Sequence, residues 1–211
     1  MTRIPHTILL ASTIAAAALL GGCASKGGQP NTLFDFGPAA GPIAQAAPAA
    51  DPPAPLPALV VSDVTGPAAL DNERMFYRLN YADAMQARSY ANSRWTANPL
   101  QMVTQRFKAR IAQSGVKVLA VTDAAIGVPI LRVEVDDFVH AFSSPGQSEG
   151  QLVLRASLFQ GHTLLDQKIF SRSTPAGSLD AAGGARALAA STDAVAADIV
   201  AWLATVAPRK Q

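Results

Sequence analysis

Proline is distributed unevenly along this chain, and that distribution limits where a domain can fold. Eight of the fifteen prolines lie between residues 24 and 57, amid alanine and glycine. Each proline fixes φ and removes a backbone donor, so a segment this rich in proline packs no core of its own. Such chain tends to extended polyproline II, which rises about 3.1 Å per residue. The sequence therefore predicts that the folded domain is built mainly from residues after Leu56.

The first residues have the organisation of a signal peptide. Arg3 supplies a positive region, Ile8 to Leu20 form an apolar run, and Leu20-Gly21-Gly22-Cys23 follows. The run is shorter than the roughly 20 residues that a spanning helix needs. The last four residues resemble the lipobox of bacterial lipoproteins, which predicts cleavage of residues 1–22 and acylation of Cys23. The membrane is then reached through the lipid anchor, because several acyl chains hold stably.

Cys23 is the only cysteine, so an intramolecular disulfide is impossible and stability must come from an apolar core. Ala24, rather than aspartate, after the cysteine resembles the sorting signal for the outer membrane, periplasmic face. We expect a lipid-anchored tether over 23–31 and a domain over 32–207 that contains a flexible Pro/Ala-rich segment, 38–56. Thr32 to Gly37 alternates apolar and polar residues, which favours a short strand.

Charge argues against a nucleic-acid partner. Removal of residues 1–22 takes away one of the 17 basic residues and leaves 16 against 15 acidic ones. The basic residues are scattered singly, whereas nucleic-acid binding requires a clustered basic face.

Periodicity after Leu56 predicts seven strands and two helices. The strands are expected at 59–64, 75–81, 87–92, 116–121, 130–142, 152–159 and 164–170. Asn98-Pro99 marks the start of the first helix and Gly115 its end, while the second begins near Asp180. Apolar residues change parity between Val135 and Phe138, which predicts a bulge at Asp136-Asp137. This order predicts an α/β fold, a three-layer sandwich in which two main amphipathic helices pack on a mixed sheet.

Few residues beyond the signal peptide could carry catalysis. His140 and His162 are the two histidines there, each expected to be a surface or half-buried polar residue. Asp136-Asp137 beside His140 could do acid–base work, but a bulge explains the same residues. Ser114 and Lys117 have nucleophile spacing at the wrong end of a helix. We therefore expect no enzyme, no metal site and no cofactor.

Arg94 and Trp95, with Tyr77 and Arg78 upstream, form the candidate interface. Arginine and tryptophan are common anchors at interfaces, because the indole buries a large area and the guanidinium makes directional bonds. The alternative is a tryptophan buried at the entrance of the first helix with Arg94 stacked on it. The residues alone favour neither.

An ordered series of motifs gives a more specific comparison. Taken in turn, Tyr77-Arg78-Leu79, Arg94-Trp95 with Pro99 before a helix, the apolar strand Leu131 to Phe138, Asp180-Ala-Ala-Gly-Gly, and Trp202-Leu203 resemble the ABC-type transport auxiliary lipoprotein family. That family includes the PqiC/YmbA-like lipoproteins that accompany MCE-type lipid transport systems. The likeness runs over about residues 31 to 205.

The resemblance implies a non-enzymatic lipoprotein that links an envelope lipid transporter to the outer membrane. Its partners would be MCE-domain or ABC transporter components, and a homo-oligomer is compatible with it. One alternative is a lipoprotein that regulates an envelope enzyme such as a cell-wall synthase. A weaker one is a solute-binding receptor, although a single domain lacks the usual two-lobed cleft.

Overall fold

The computed structural model describes residues 31–39, 56–123 and 126–206. The predicted signal peptide 1–22, Cys23, nearly all of the tether and most of segment 38–56 lie outside the described residues, and the domain limits 32–207 stay a prediction. Within these residues the strands and α-helices are β1 (Thr32–Phe34), β2 (Ala58–Val61), β3 (Arg74–Leu79), β4 (Ala87–Trp95), α1 (Pro99–Gln113), β5 (Lys117–Leu119), β6 (Ile130–Ser144), β7 (Gln147–Gln160), β8 (Thr163–Pro175) and α2 (Ala181–Val206). A short 3-10 helix, Ala68–Leu70, lies between β2 and β3. The eight strands form one mixed sheet, which confirms the α/β class.

Strand β6 organises the sheet, because it borders two different strands along one side. Its first part pairs in parallel with β2, Val60 opposite Ile130, and β2 pairs in parallel with β5. Its last part pairs in parallel with β3, which continues antiparallel to β4 and then parallel to β1. On the other side β7 and β8 follow, both antiparallel. The predicted bulge is confirmed by a register shift between Val135 and Asp137.

Local chemistry fixes the ends of the elements. The side chain of Asn98 accepts a hydrogen bond from the backbone N–H of Gln101 at 2.8 Å, and Pro99 occupies the first helical position. After α1, Gly115 has φ of +85°, which glycine adopts without steric penalty. Gly161, with φ of +59°, makes the β7–β8 turn. Both helix starts and the hairpin were predicted.

One continuous apolar core lies between the sheet and the helices. Helix α1 contributes Val103, Phe107 and Ile111, and α2 contributes Leu188, Val195, Ile199 and Trp202. Helix α2 is long and apolar enough to cross a membrane by length and composition, but half of that stretch is buried against the rest of the domain. A core helix of a soluble domain has the same property, so this observation is weak evidence for a membrane span.

The two helices pack on the same face of the sheet and contact each other. Asp193 of α2 forms ion pairs with Arg110 at 2.7 Å and Arg106 at 3.5 Å, both on α1. The opposite face of β6 and β7 carries an ion pair between Glu134 and Arg155. No second helical layer covers that face within residues 31–39, 56–123 and 126–206, so the three-layer detail of the prediction is not confirmed.

Candidate interaction site

Trp95, the last residue of β4, lies in the core with 1% of its surface exposed. Its ring packs edge-on against Phe36 with 5.7 Å between the centroids, and against Phe138 at 5.8 Å. Phe36 is brought there by β1, because Phe34 pairs with Trp95. These are the contacts of a core residue.

Arg94 binds its own strand. Its Nη1 donates to the carbonyl oxygens of Tyr90 at 2.7 Å and Ser93 at 2.9 Å. The register of the β3–β4 pair shifts here. Arg74 lies opposite Arg94, but Phe76, two residues further along β3, lies opposite Ser89, five residues back along β4. Arg94 therefore satisfies carbonyls in an irregular part of β4. The arginine stacked on a ring in this region is Arg106, 5.7 Å from the centroid of Phe36.

Tyr77 and Arg78 lie toward the other end of β3. The ring of Tyr77 packs on Tyr90 with 4.7 Å between the centroids. Arg78 makes a two-pronged ion pair with Asp137, with N–O distances of 2.9 and 3.3 Å. Asp137 belongs to the β6 bulge, so this carboxylate pairs with an arginine and not with His140.

The four predicted interface residues do not form one surface. Arg74 pairs with Arg94 and Arg78 pairs with Ala87, so Arg78 lies four residues, or about 13 Å, along the sheet from Arg94. Trp95 is inside the core. The structure thus places Trp95 in the core and Tyr77 on Tyr90, while Arg94 binds backbone carbonyls and Arg78 binds the Asp137 carboxylate. An interface role for any of the four stays a prediction.

His140 is the functional-type residue whose place the sequence reasoning missed. It was expected at the surface or half-buried, and this expectation is wrong, because none of its surface is exposed. Its Nδ1 is 2.8 Å from Oη of Tyr90 and its Nε2 is 2.8 Å from Oγ of Ser148. The signal was present in the sequence, since His140 shares its strand face with Phe138 and Phe142.

Two glycines let α2 approach this buried histidine. A Cβ on Gly184 would lie 2.4 Å from Nδ1 of His140, and a Cβ on Gly150 would lie 2.4 Å from the backbone N of Leu188. Asp180 caps the same helix end, because its Oδ1 accepts from the N–H of Gly183 at 2.8 Å. The Asp180-Ala-Ala-Gly-Gly sequence therefore combines a helix cap with a surface small enough to cover His140.

The electrostatics of this cluster keep it neutral. Burial lowers the pKa of His140 to about 4, against an opposing attraction from Asp180. Burial also raises the pKa of Tyr90, helped by the negative charges that Tyr77 and Asp180 can carry. Hydrogen bonds from Ser178 and Gly183 lower the pKa of Asp180. At neutral pH the imidazole is uncharged and both ring nitrogens are occupied, so the cluster stabilises the fold and offers no free base.

A cleft of about 830 Å³ lies beside the first turns of α1. Arg106, 4% exposed, forms part of its lining and donates to the carbonyl oxygens of Phe36, Gly37 and Pro38, with the last two at 3.1 and 3.0 Å. This side chain fixes the segment after β1 against the helix. The sequence analysis did not predict this role for Arg106. Phe107, the next residue, belongs to the apolar stripe of α1, and a charged residue beside the stripe is expected at the surface.

Residues 31–39, 56–123 and 126–206 contain no group of three or more histidine, cysteine, aspartate or glutamate side chains placed to hold a metal ion.

Comparison with solved structures shows the same fold elsewhere. Protein XCC0632 from Xanthomonas campestris is 16% identical, with 84% of this chain and 87% of that chain covered and a TM-score of 0.62. An uncharacterized protein is 13% identical, with 83% and 99% covered and a TM-score of 0.65. At these identities the likeness concerns the fold alone.

Comparison with families and curated proteins gives one assignment. A search of curated proteins found no match. The model of the family described as ABC-type transport auxiliary lipoprotein component matches residues 41–200, well over half of the 211 residues. This agrees with the ordered motifs in the sequence and, since the match spans the sheet from β2 to β8 and most of α2, the chain belongs to the ABC-type transport auxiliary lipoprotein family.

Proposed function

We propose that this protein is an acylated envelope lipoprotein that serves as a non-enzymatic auxiliary component of an ABC/MCE-type lipid transport system and links the transporter to the outer membrane. The observation that carries the proposal is the family match over residues 41–200, joined to Leu20-Gly21-Gly22-Cys23 at the start of the chain. The lipobox supplies the attachment and the folded domain supplies the surface that partners bind.

The buried His140 cluster supports the non-enzymatic part of the proposal. A general base needs a pKa near the working pH and access to substrate. His140 has a pKa of about 4 and no exposed surface, and its partners Tyr90 and Ser148 occupy both nitrogens. The residue type that most often does acid–base work therefore joins β4 and β7 here, beneath the start of α2.

Acylation is tested by Cys23→Ser. The thiol is the acceptor of the lipid, so radiolabelled palmitate should enter the wild-type chain and not the variant, and cleavage by the lipoprotein peptidase should fail. Palmitate in the Cys23→Ser protein would contradict the lipidated reading. Ala24→Asp is the matched test of destination, since it should move the acylated protein from outer to inner membrane fractions without changing palmitate incorporation.

The partner is tested by crosslinking in intact cells followed by purification of the full chain. We expect MCE-domain or ABC transporter components to be recovered, and transport of lipid to fail when the gene is removed. Recovery of a cell-wall synthase, without transporter components, would overturn the proposal in favour of an enzyme regulator.

A further inference from the structure

Strand β8 leaves a long edge of the sheet open. It is 13 residues long and, within the part of the chain that the structure describes, it pairs with β7 alone. Phe170 is its one buried residue, whereas Ile169 at its middle is 65% exposed. An unpaired edge presents a row of backbone N–H and C=O groups that can pair with another chain. The edge therefore has the length and exposure to accept one more strand.

A groove of about 450 Å³ runs between this edge and α2. Phe170 and Trp202 pack edge to face with 5.8 Å between their centroids, and Ala201 also lines the groove. An ion pair joins Arg172 to Asp198 at 2.6 Å. The indole Nε1 of Trp202 donates to Asp166 at 2.7 Å. The groove is thus apolar at Phe170 and Trp202 and polar at the Arg172–Asp198 pair, and Asp166 lies next to Trp202.

We propose that β8 pairs antiparallel with β8 of a second copy of this chain, with Ile169 on the two-fold axis. Ile169 is the middle residue of the strand, and this register pairs the regular stretch from Asp166 to Arg172 with its copy; the bulge at Leu165 interrupts the strand beyond it. It sets Asp166 opposite Arg172 of the second copy, and the symmetry repeats the pair. Opposite charges directly across two strands stabilise the pairing.

Neighbouring two-fold registers lack this complementarity. An axis through Lys168 sets that lysine opposite its own copy. An axis through Phe170 sets Lys168 opposite Arg172 of the second copy. Like charges placed directly opposite destabilise a strand pair. Among these three registers the charges of β8 therefore favour the one centred on Ile169, which also overlaps the strands further than the Asp166–Lys168 pairing about Gln167 would.

The helices fit the same arrangement. Helix α2 contacts both β7, through Ser191 and Gly150, and β8, through Asp198 and Arg172. Two such helices on one face of a continuous sheet lie about two strand spacings apart, roughly 10 Å. Helices pack at separations of about 8 to 10 Å. Asp198 contacts Arg172 and Trp202 contacts Asp166, so Ala201, between them on α2, lies near the level of Ile169. Its small side chain permits the two copies of α2 to approach each other.

Disulfide crosslinking of the full acylated chain tests the register. Directly opposed residues have Cα atoms about 4.5 to 5.5 Å apart, within disulfide range. Ile169→Cys should therefore crosslink to a covalent dimer in more than half of the chains under mild oxidation. Gln167→Cys and Ser171→Cys, exposed on the same face, should each remain at the level of the wild-type chain, whose one cysteine is Cys23, but should crosslink when combined in one chain.

A second pair of variants tests the helix contact. Ala201→Arg should convert the dimer to a monomer in size analysis, while Ala190→Arg, an exposed alanine of the same helix outside the groove, should leave the dimer intact. A monomeric wild-type chain without an Ile169→Cys crosslink would overturn the proposal. Equal crosslinking at residues 167, 169 and 171 would overturn it too, because that pattern indicates random collision. Neither outcome bears on acylation or on transporter binding.

Discussion

The two helices begin in the same way and cover opposite kinds of surface. Asn98 caps α1 and Asp180 caps α2, each through a 2.8 Å bond to a backbone N–H three residues on. The entrance of α1 covers Trp95 and its aromatic neighbours, whereas the entrance of α2 covers the polar His140. The apolar site is stabilised by the area it buries. The polar site depends on complete hydrogen bonding and on the absence of any side chain above the ring.

The largest effect should come from emptying the apolar site. Trp95→Ala removes a fully buried indole from between Phe36 and Phe138, and such truncations cost about 3 to 5 kcal/mol of unfolding free energy. Chemical denaturation of the isolated mature chain measures it. Trp95→Phe, which keeps a ring there, is the control and should lose less. A Trp95→Ala protein that unfolds with wild-type stability would show that the aromatic cluster is dispensable.

Acid should weaken the polar site selectively. The pKa of His140 is about 4 in the folded chain, below its ordinary value of 6.5. Unfolded chains therefore take up a proton first as the pH falls from 6.5 to 4, and the free energy of unfolding drops by up to about 3 kcal/mol across that window. Above pH 6.5 this contribution does not vary.

Denaturation curves at half-unit pH steps, compared with His140→Gln, would isolate this contribution. The variant should have lower stability at pH 7 and a shallower pH dependence. His162→Gln, at an exposed turn position, is the control for the substitution itself and should keep the wild-type stability at pH 7. An unchanged pH dependence in His140→Gln would show that other groups control acid sensitivity.

The contrast between the sites also shows what a sequence can predict. Caps, turns and the β6 bulge depend on neighbouring residues, so they could be predicted from the sequence. Examples are the cap at Asn98, the turns at Gly115 and Gly161, and the Val135–Asp137 shift. Contacts between distant segments were not. Arg106 binds carbonyls about 70 residues away, and nothing near it in sequence indicates that partner.

Strand pairing gives the same lesson at the scale of the sheet. That β6 borders β2 at one end and β3 at the other depends on which strands meet, and alternation of polar and apolar residues carries no such information. The sequence predicted the α/β class but not the placement of both helices on one face. Among the site residues, His140 alternates in step with Phe138 and Phe142 along β6, and this pattern is enough to predict a buried histidine.

A smaller effect should follow from adding one methyl group to the polar site. Gly184→Ala places a Cβ 2.4 Å from Nδ1 of His140, so the helix or the ring must shift, and overpacking of this kind costs about 1 to 3 kcal/mol. Gly177→Ala is the matched control, because a Cβ there meets nothing within 4 Å. Thermal melts of both would test the close approach. Equal melting temperatures would show that α2 has room to move at its start.

The smallest effect on folding is expected at Arg94, although the next residue in the sequence, Trp95, is where we expect the largest. Its guanidinium serves two carbonyls of the irregular segment and is only partly buried, so water can replace much of what Arg94→Ala removes. We expect a loss of about 1 kcal/mol or less, since bonds at such positions contribute little net. Arg94→Lys keeps the positive charge but removes the planar guanidinium, so it separates the contribution of charge from that of side-chain geometry.

If Arg94 also contacts a transporter component, removing that anchor should lower recovery of the partner by a factor of about 30, equivalent to about 2 kcal/mol. Melting temperature and partner recovery, measured on the same preparations, distinguish the two roles. Unchanged recovery with a small loss of stability would assign Arg94 to the backbone of β4 alone, whereas lost recovery in a fully stable protein would make this strand end the transporter-facing surface.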